Sequence, residues 1–194
     1  MIIDILFGAI LGAGATYVWA KIDQNRRRAK SAEFSVGDTG NQLRFVEQVD
    51  LQTTRPINKE AFRKFRVAEE LLASEKQNWR IFAEVGLGAF VQTSRKSGTE
   101  SQRKRAFKSY NSKRVDFLII DSLGNAAVAM EYQGSGHHMS SDAAARDAVK
   151  KRVLQRADVE LVEVSSYTTD DELRTSLAAA LQRHRQKRQG YAKS

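Results

Sequence analysis

A predicted β-hairpin restricts how this chain can fold more than any other part of its sequence. Residues 115–121 are mostly apolar and predict one strand, residues 122–125 contain the Gly and Asn that are typical of a turn, and residues 126–133 predict the returning strand. The chain therefore has antiparallel β-structure, and its cross-strand neighbours can be derived from the length of the loop.

The register of this hairpin brings two carboxylates together. If Asp121 pairs with Ala126 across the loop, Asp116 lies opposite Glu131. Opposed side chains have Cβ atoms about 5 Å apart, and like charges at that distance are destabilising unless something neutralises them. A divalent cation, magnesium or manganese, binds carboxylates and can add a backbone carbonyl. Asp116 and Glu131 are therefore predicted metal ligands, and the alternative is an exposed Asp116 with the register shifted by one residue.

More polar side chains follow Glu131 along the chain. Strand alternation puts Gln133 on the same face as Glu131, and a Gly-Ser-Gly turn leads on to His137 and His138. A plain turn explains the glycines but not this group of polar side chains at the end of an apolar strand. Each histidine taken alone is more often a surface residue than a ligand, so both are assigned to the surroundings of the site or to substrate contact.

The helix predicted from about residue 141 to residue 156 carries a lysine in the middle of its apolar face. A buried ammonium needs an acidic partner or has to extend outward to water. Lys150 is therefore predicted either to reach an acidic group or to snorkel to the surface. Arg146 and Asp147 flank the same stripe, so the helix is expected to present three charged side chains toward the hairpin.

The remaining elements complete an open α/β sandwich. Further strands are predicted over residues 79–85 and 159–164, one helix begins near Asn58, and a closing helix covers residues 170–184. The chain has no cysteine, which excludes disulfides and cysteine-based zinc sites.

These motifs resemble the bacterial family called domain of unknown function 2726, over roughly residues 56–181. The resemblance rests on Asn-Ser-Lys-Arg-Val-Asp-Phe at residues 111–117, Glu-Tyr-Gln-Gly-Ser-Gly-His-His at residues 131–138 and Arg-Asp-Ala-Val-Lys at residues 146–150. The order of elements is similar to the αβββαβ core of the PD-(D/E)xK, or restriction-endonuclease-like, nuclease superfamily. The resemblance implies that Asp116 and Glu131 are the metal-binding acids of a phosphodiesterase.

Two features of the superfamily pattern, its catalytic lysine and the acid of its first helix, have more than one possible counterpart in this sequence. Gln133 occupies the place of the superfamily's catalytic lysine, so either Lys150 replaces that lysine from the helix or catalysis is lost. The superfamily also carries an acidic residue on its first helix. Periodicity favours Glu69, at the margin of the apolar face, and an ordinary boundary glutamate is the alternative.

The N-terminal segment predicts a membrane anchor. Residues 5–20 are uncharged and largely apolar, and the isoleucines before Asp4 extend the segment to nearly the length that crosses a bilayer. Basic residues follow the segment instead of preceding it, which favours an anchor over a cleaved signal and places the rest of the chain in the cytoplasm. The expected location is the bacterial inner membrane, with a single pass, and an amphipathic or disordered tail is the alternative.

The sequence thus predicts four parts: an anchor with a basic flank at 1–30, a tether at 31–55, the PD-(D/E)xK-like domain at 56–182 and a basic C-terminal tail at 183–194. The net charge is +9, and the excess lies in the tail and in residues 95–114, interpreted as a loop beside the Asp116 strand. Basic runs attract phosphate backbones. The candidate nucleic-acid-binding residues are Arg103, Lys104, Arg105, Lys108, Lys113 and Arg114.

Two functions are compatible with these features. One is a membrane-anchored, nucleic-acid-binding, magnesium-dependent nuclease. The other is a catalytically degenerate module of the same fold that binds nucleic acid, lipid headgroups or a protein partner. An amide at position 133 favours the second function, because it neither carries charge nor accepts a proton at neutral pH.

Overall fold

The computed structural model describes residues 16–28, 34–134 and 141–191. The chain divides into two units, residues 1–54 and residues 55–194. In the first unit, helix α1 includes residues 16–28 and helix α2 spans Thr39–Glu47. The segment predicted as a tether therefore contains a helix, which begins with Asp38 as its N-cap and buries none of its residues.

No helix in the described part of the chain is both long and apolar enough to cross a membrane. Residues 1–15, which hold most of the predicted anchor, lie outside the described residues. The described residues therefore give no support to the transmembrane prediction.

The second unit is a mixed α/β structure around one four-stranded sheet. The sheet order is β1-β2-β3-β4, with antiparallel pairs except for the last, which is parallel. Helix α6 provides the crossover that a parallel pair requires. The elements, in chain order, are α3 (Lys59–Ser74), β1 (Arg80–Gly86), α4 (Leu87–Phe90), α5 (Glu100–Tyr110), β2 (Arg114–Ile120), β3 (Ala126–Gln133), α6 (Ser141–Arg156), β4 (Glu160–Ser165) and α7 (Asp170–Tyr191).

Helices cover both faces of this sheet. On one face, α3 and α7 bury a cluster that includes Met130 of β3. On the other face, α4, α5 and α6 bury a second cluster that includes Ala129 of β3 and Leu154 of α6. Because side chains alternate along a strand, Glu131 follows Ala129 onto the α6 face. The predicted α/β class is confirmed, and α4 and α5 are helices between the first two strands that the sequence analysis did not predict.

The β2–β3 hairpin has a bulge near its turn. Ala126 pairs with Ile120, not with Asp121 as predicted, and the register shifts between Ile119 and Ile120. Asp121 instead accepts hydrogen bonds from the backbone of the turn, at 2.9 Å from Leu123 and 2.8 Å from Asn125. The assumed pair at the turn was therefore wrong.

The bulge nevertheless restores the predicted neighbours farther along the hairpin. Phe117 pairs with Met130, and Asp116 and Glu131 occupy the next position on each strand. The two acids therefore meet at the open end of the hairpin, although the route by which the register reaches them differs from the one predicted.

Helix α5 corrects the interpretation of residues 95–114 as a loop. Thr99 Oγ1 accepts from the backbone N–H of Gln102 at 3.3 Å, and Gln102 Oε1 accepts from the backbone N–H of Thr99 at 2.7 Å. This reciprocal pair is a capping box, and its Thr-x-x-Gln pattern is visible in the sequence. The candidate cations of this region therefore lie mostly on a helix.

The capping box predicts that Thr99→Ala destabilises the domain by about 1 kcal/mol, because an N–H of the first turn loses its acceptor. Urea unfolding of the full chain measures the change. Thr99→Ser keeps a hydroxyl and should lose much less, so equal losses in both variants would contradict the cap.

Candidate functional site

At the open end of the hairpin, the Asp116 side chain accepts a hydrogen bond in place of a backbone carbonyl. Asp116 Oδ2 accepts the backbone N–H of Tyr132 at 2.7 Å. The ladder bond that would otherwise continue between the strands is thus made by the carboxylate. Because this hydrogen bond has a backbone donor, it fixes the half-buried carboxylate of Asp116 beside Glu131.

Glu131 is the buried acid of the site, with 8% of its surface exposed. Its Oε2 accepts a hydrogen bond from Lys150 Nζ at 2.5 Å. Lys150 itself is largely buried and has Asp147 as a second, more distant partner at 3.8 Å. Of the two alternatives for Lys150, the structure therefore has it reach an acidic group of the hairpin.

The second carboxylate oxygen of Glu131 has no such partner. Oε1 is buried and lacks a hydrogen bond within the described part of the chain. Burial raises the pKa of Glu131 to about 7, and it outweighs the hydrogen bond and the charge of Lys150, while Asp116 and Asp147 add repulsion. A buried polar oxygen calls for a partner, and a proton or a cation can provide one.

A further acid, Glu163, stands beside Glu131. The two residues are direct partners in the parallel pair of β3 and β4. Glu163 Oε1 accepts from Gln133 Nε2 at 2.7 Å and lies 2.8 Å from Lys151 Nζ. Lys151 also lies 3.3 Å from Asp147. Gln133 is therefore engaged with β4, away from the Asp116 carboxylate.

Sequence reasoning missed Glu163 and Lys151. Glu163 was detectable as the polar residue between Val162 and Val164 of the last strand, where alternation puts it on the face opposite its neighbours. Its pairing with Glu131 was not detectable, because it depends on the parallel register across the α6 crossover.

The structure does not bring the predicted residue of α3 to this group. Glu69 is exposed, and α3 covers the face of the sheet opposite Glu131. The acid of α3 that contacts the hairpin is Glu60, whose Oε2 accepts from Tyr132 Oη at 2.7 Å. This hydrogen bond raises the pKa of Tyr132 to about 12, and it lies on the α3 face.

Three other predicted residues cannot be located at the site. His137 and His138 lie outside the described residues, and the side chain of Arg146 does as well. No three His, Asp or Glu side chains in the described ranges are grouped so that they could hold a metal ion. What the described residues do bring together is Asp116, Glu131, Lys150 and Asp147.

The basic helix α5 lies on the same face of the sheet as Glu131. Its Tyr110 packs in the cluster that contains Ala129 and Leu154. Two of its cations have local partners: Arg103 donates to the carbonyl of Gly98 at 2.6 Å, and Lys104 pairs with Glu100 at 2.6 Å. The remaining candidates of this region are Arg105 and Lys108 on α5, Lys113 after it, and Arg114, which lies 3.6 Å from Glu84.

The cations of the predicted basic tail, unlike Arg105 and Lys108 of α5, mostly pair with acids. Residues 183–191 continue helix α7, and most of their cations contact acids of the same unit. Lys187 donates to Glu160 and Asp158, Arg183 donates to Glu160, and Arg185 donates to Glu75. These charges stabilise the fold, so α5 is the better candidate for a phosphate-binding surface.

Comparison with known proteins identifies relatives without a described activity. The model of a family described as "Protein of unknown function (DUF2726)" matches residues 59–181. An uncharacterized protein of Haemophilus influenzae is 41% identical over 107 residues, which cover 55% of this chain and 52% of that protein. The uncharacterized protein y4bI of Sinorhizobium fredii is 34% identical over 124 residues, 63% of this chain and 83% of that protein. The chain thus spans about half of the length of the Haemophilus relative. No solved structure matches this chain.

The raised pKa of Glu131 predicts a pH dependence of stability. The folded state holds the proton more tightly than the unfolded state, in which the ordinary value of 4.5 applies. The contribution of Glu131 to stability is therefore largest below that value and falls as the pH rises toward 7, by up to about 1.4 kcal/mol per pH unit.

Glu131→Gln removes this titration, so the variant should gain stability relative to wild type as the pH rises from 4.5 to about 7. Urea unfolding at several pH values measures the difference, and Glu69→Gln, an exposed glutamate, is the matched control. A difference that stays constant with pH would show that Glu131 does not titrate in this range.

Proposed function

We propose that this chain, which belongs to the family described as "Protein of unknown function (DUF2726)", is a metal-dependent phosphodiesterase that acts on nucleic acid. The order α3, β1, β2, β3, α6 and β4 supports a PD-(D/E)xK-like core into which α4 and α5 are inserted. Asp116, Glu131 and Lys150 are the residues that would carry the reaction.

The observation that carries the proposal is the unpartnered, buried Oε1 of Glu131 next to the Asp116 carboxylate. Hard divalent cations prefer carboxylate oxygens, so this donor pair fits magnesium or manganese. Asp116 and Glu131 would hold the ion, which when bound polarises a phosphate and lowers the pKa of a water molecule. The hydrogen bond from Tyr132 orients Asp116 for this role and leaves its other oxygen available.

Lys150 supplies the positive charge that Gln133 lacks. Its ammonium is held against Glu131 by a hydrogen bond and is largely removed from water. A fixed cation in a low-dielectric site stabilises negative charge that develops on a phosphate oxygen. Gln133, bonded to Glu163, instead positions the neighbouring acid. The helix therefore provides the function of the missing strand lysine.

The exposed cations of α5 support nucleic acid as the substrate. Arg105 and Lys108 are exposed on the helix that packs on the Glu131 face. A phosphate backbone bound along α5 would lie on the same side of the sheet as the two acids. Such contacts are independent of base sequence, so they suit a nuclease without strong sequence preference.

A second candidate function is a non-catalytic module that binds nucleic acid, lipid headgroups or a protein partner. The observation that favours it is the Lys150–Glu131 ion pair itself, because the ammonium already neutralises the acid that a metal would need. In this case the pair has a purely structural role, and divalent ions have little affinity for the site.

Calorimetric titration of the full chain with magnesium and manganese tests the proposed function. Asp116→Ala and Glu131→Ala should each lower metal affinity by more than the roughly 10–100-fold that loss of a supporting partner causes. Lys150→Ala should keep metal binding and nucleic-acid affinity but lose turnover, because a transition-state contact affects rate more than binding.

Glu69→Gln is the matched control for these variants, because that acid lies on the other face. Unchanged metal affinity in both alanine variants would exclude the metal site. If the wild type has little affinity for either metal and cleaves neither DNA nor RNA, in single or double strands, the non-catalytic module is the better description.

The basic helix predicts a salt-dependent interaction. Changing Lys104, Arg105 and Lys108 to Gln should weaken duplex DNA binding for all sequences and reduce the slope of log K against log salt by about 0.9 for each lost phosphate contact. The same changes at Arg63, Arg66 and Arg174, on α3 and α7 of the opposite face, should leave the slope unaltered. Equal effects of the two triple variants would mean that only net charge matters.

A further inference from the structure

Helix α2 of the first unit has an apolar side that is exposed. Leu43 and Val46 are neighbours on this side, because side chains three positions apart on a helix lie together, and they are 61% and 53% exposed. The helix has nine residues and buries none of them. Helices shorter than about 12–15 residues are marginal in water, and in proteins the packing of an apolar side supplies most of their stability. The apolar side of α2 therefore indicates a partner.

Hydrogen bonds hold the turn before α2 against the first turn of the helix. Asp38 Oδ1 accepts the backbone N–H of Asn41 at 3.0 Å, and Gln42 Nε2 donates to the carbonyl of Val36 at 2.6 Å. The segment thus has a defined local structure although it buries no side chain of the helix. Clustered exposed apolar side chains mark interaction sites for proteins or membranes. Beside the helix, four more are exposed: Phe34, Val36, Val49 and Leu51.

Helix α1 indicates the chemistry of the partner. Val18, Trp19 and Ile22 fall within one side of this helix at 100° per residue, and all three are exposed. Its single acid, Asp23, pairs with Arg27 at 2.8 Å. A helix with Trp and aliphatic residues on one side and several cations binds the surface of a bilayer, where anionic lipids attract the cations. The cations of α1 are Lys21, Arg26, Arg27 and Arg28.

Helix α2 is within reach of any surface that α1 contacts. Residues 29–38 connect the two helices, and a chain of that length spans at most about 40 Å when fully extended. Residues 5–15, which precede α1, carry no charge and are largely apolar. A second protein would account for the apolar side of α2, but a bilayer accounts for that side and for the cations of α1 together.

We propose that α2 lies along the surface of a lipid bilayer. Leu43 and Val46 face the boundary between headgroups and acyl chains, and Arg44 and Gln48 face water. Helix α1 contacts the same surface, with its apolar side chains at the interface and its cations near the lipid phosphates. The segment that the sequence predicted as a tether is thus a membrane-binding element. This role is independent of the activity proposed at Glu131.

Fluorescent labelling of single cysteines in the full chain tests the proposal, because the chain has no cysteine of its own. Leu43→Cys and Val46→Cys place an environment-sensitive label on the apolar side, and Arg44→Cys and Gln48→Cys place it on the other side. With vesicles of phosphatidylcholine and phosphatidylglycerol, the emission of the first two labels should shift to the blue and lose intensity to a nitroxide quencher on the acyl chains. The labels at the other two positions should change far less.

Glu69→Cys, at an exposed position of the second unit, is the matched control, and its label should not respond to vesicles. Equal quenching at all four positions of α2 would overturn the proposal, because a helix lying on a surface alternates between its two sides. Labels at Leu43 and Val46 that do not respond to vesicles would overturn it as well. So would a blue-shifted emission of these two labels before vesicles are added, because protein would then already cover the apolar side.

Discussion

The buried ion pair between Glu131 and Lys150 is the interaction on which the site depends. It joins the centre of the sheet to α6 through a 2.5 Å hydrogen bond, and loss of one partner from such a pair costs about 3–5 kcal/mol. The pair is incomplete, because Glu131 Oε1 has no donor among the described residues. Lys187 provides a contrast, since Asp158 and Glu160 both accept from it and Arg183 also binds Glu160. An ion pair that leaves a buried carboxylate oxygen without a hydrogen bond holds α6 to the sheet less favourably than a fully bonded one would.

The arrangement of acids on neighbouring strands explains why α6 carries two consecutive lysines. Glu131 and Glu163 are paired on adjacent parallel strands and share the α6 face, so two like charges lie side by side. Lys150 neutralises the first and Lys151 the second. Because Lys151 and Gln133 both serve Glu163, Lys150 is the cation closest to the hairpin acids among the described residues. A lysine of α6 therefore reaches the acid of β3, while the amide at position 133 is bonded to β4.

Local sequence patterns predicted much of the fold, but they did not predict which distant parts of the chain pack together. Strand β3 has the predicted bounds Ala126–Gln133, and α3 begins next to Asn58, as predicted. Helix α5 was not predicted, because its mean hydropathy is low and its only fully buried residue is Tyr110. Helical periodicity indicated which side of α3 is buried. It could not tell which face of the sheet α3 covers, so it could not place Glu69.

The same limit applied to side chains that meet in space: neighbours across the hairpin were predictable, and neighbours far apart in the sequence were not. Asp116 and Glu131 are separated by one short turn, so alternation and loop length were enough to bring them together. The bulge after Ile119 changed the pairing at the turn without changing this result. Trp79 and His184 are 105 positions apart, and only the packing of α7 against the start of β1 unites them. No pattern within the sequence carries that information.

At each end of the hairpin, a carboxylate of β2 or of the turn accepts backbone hydrogen bonds. Asp116 takes the N–H of Tyr132 at one end, and Asp121 takes the N–H groups of the turn at the other. The surroundings then decide what each end can bind. Around Asp116 the acids outnumber the lysine that reaches them, which suits a cation. Around Asp121 the cations of α7 and Lys76 outnumber the acid. The two ends of the hairpin therefore have opposite electrostatic character, because the acids gather at one end and the cations at the other.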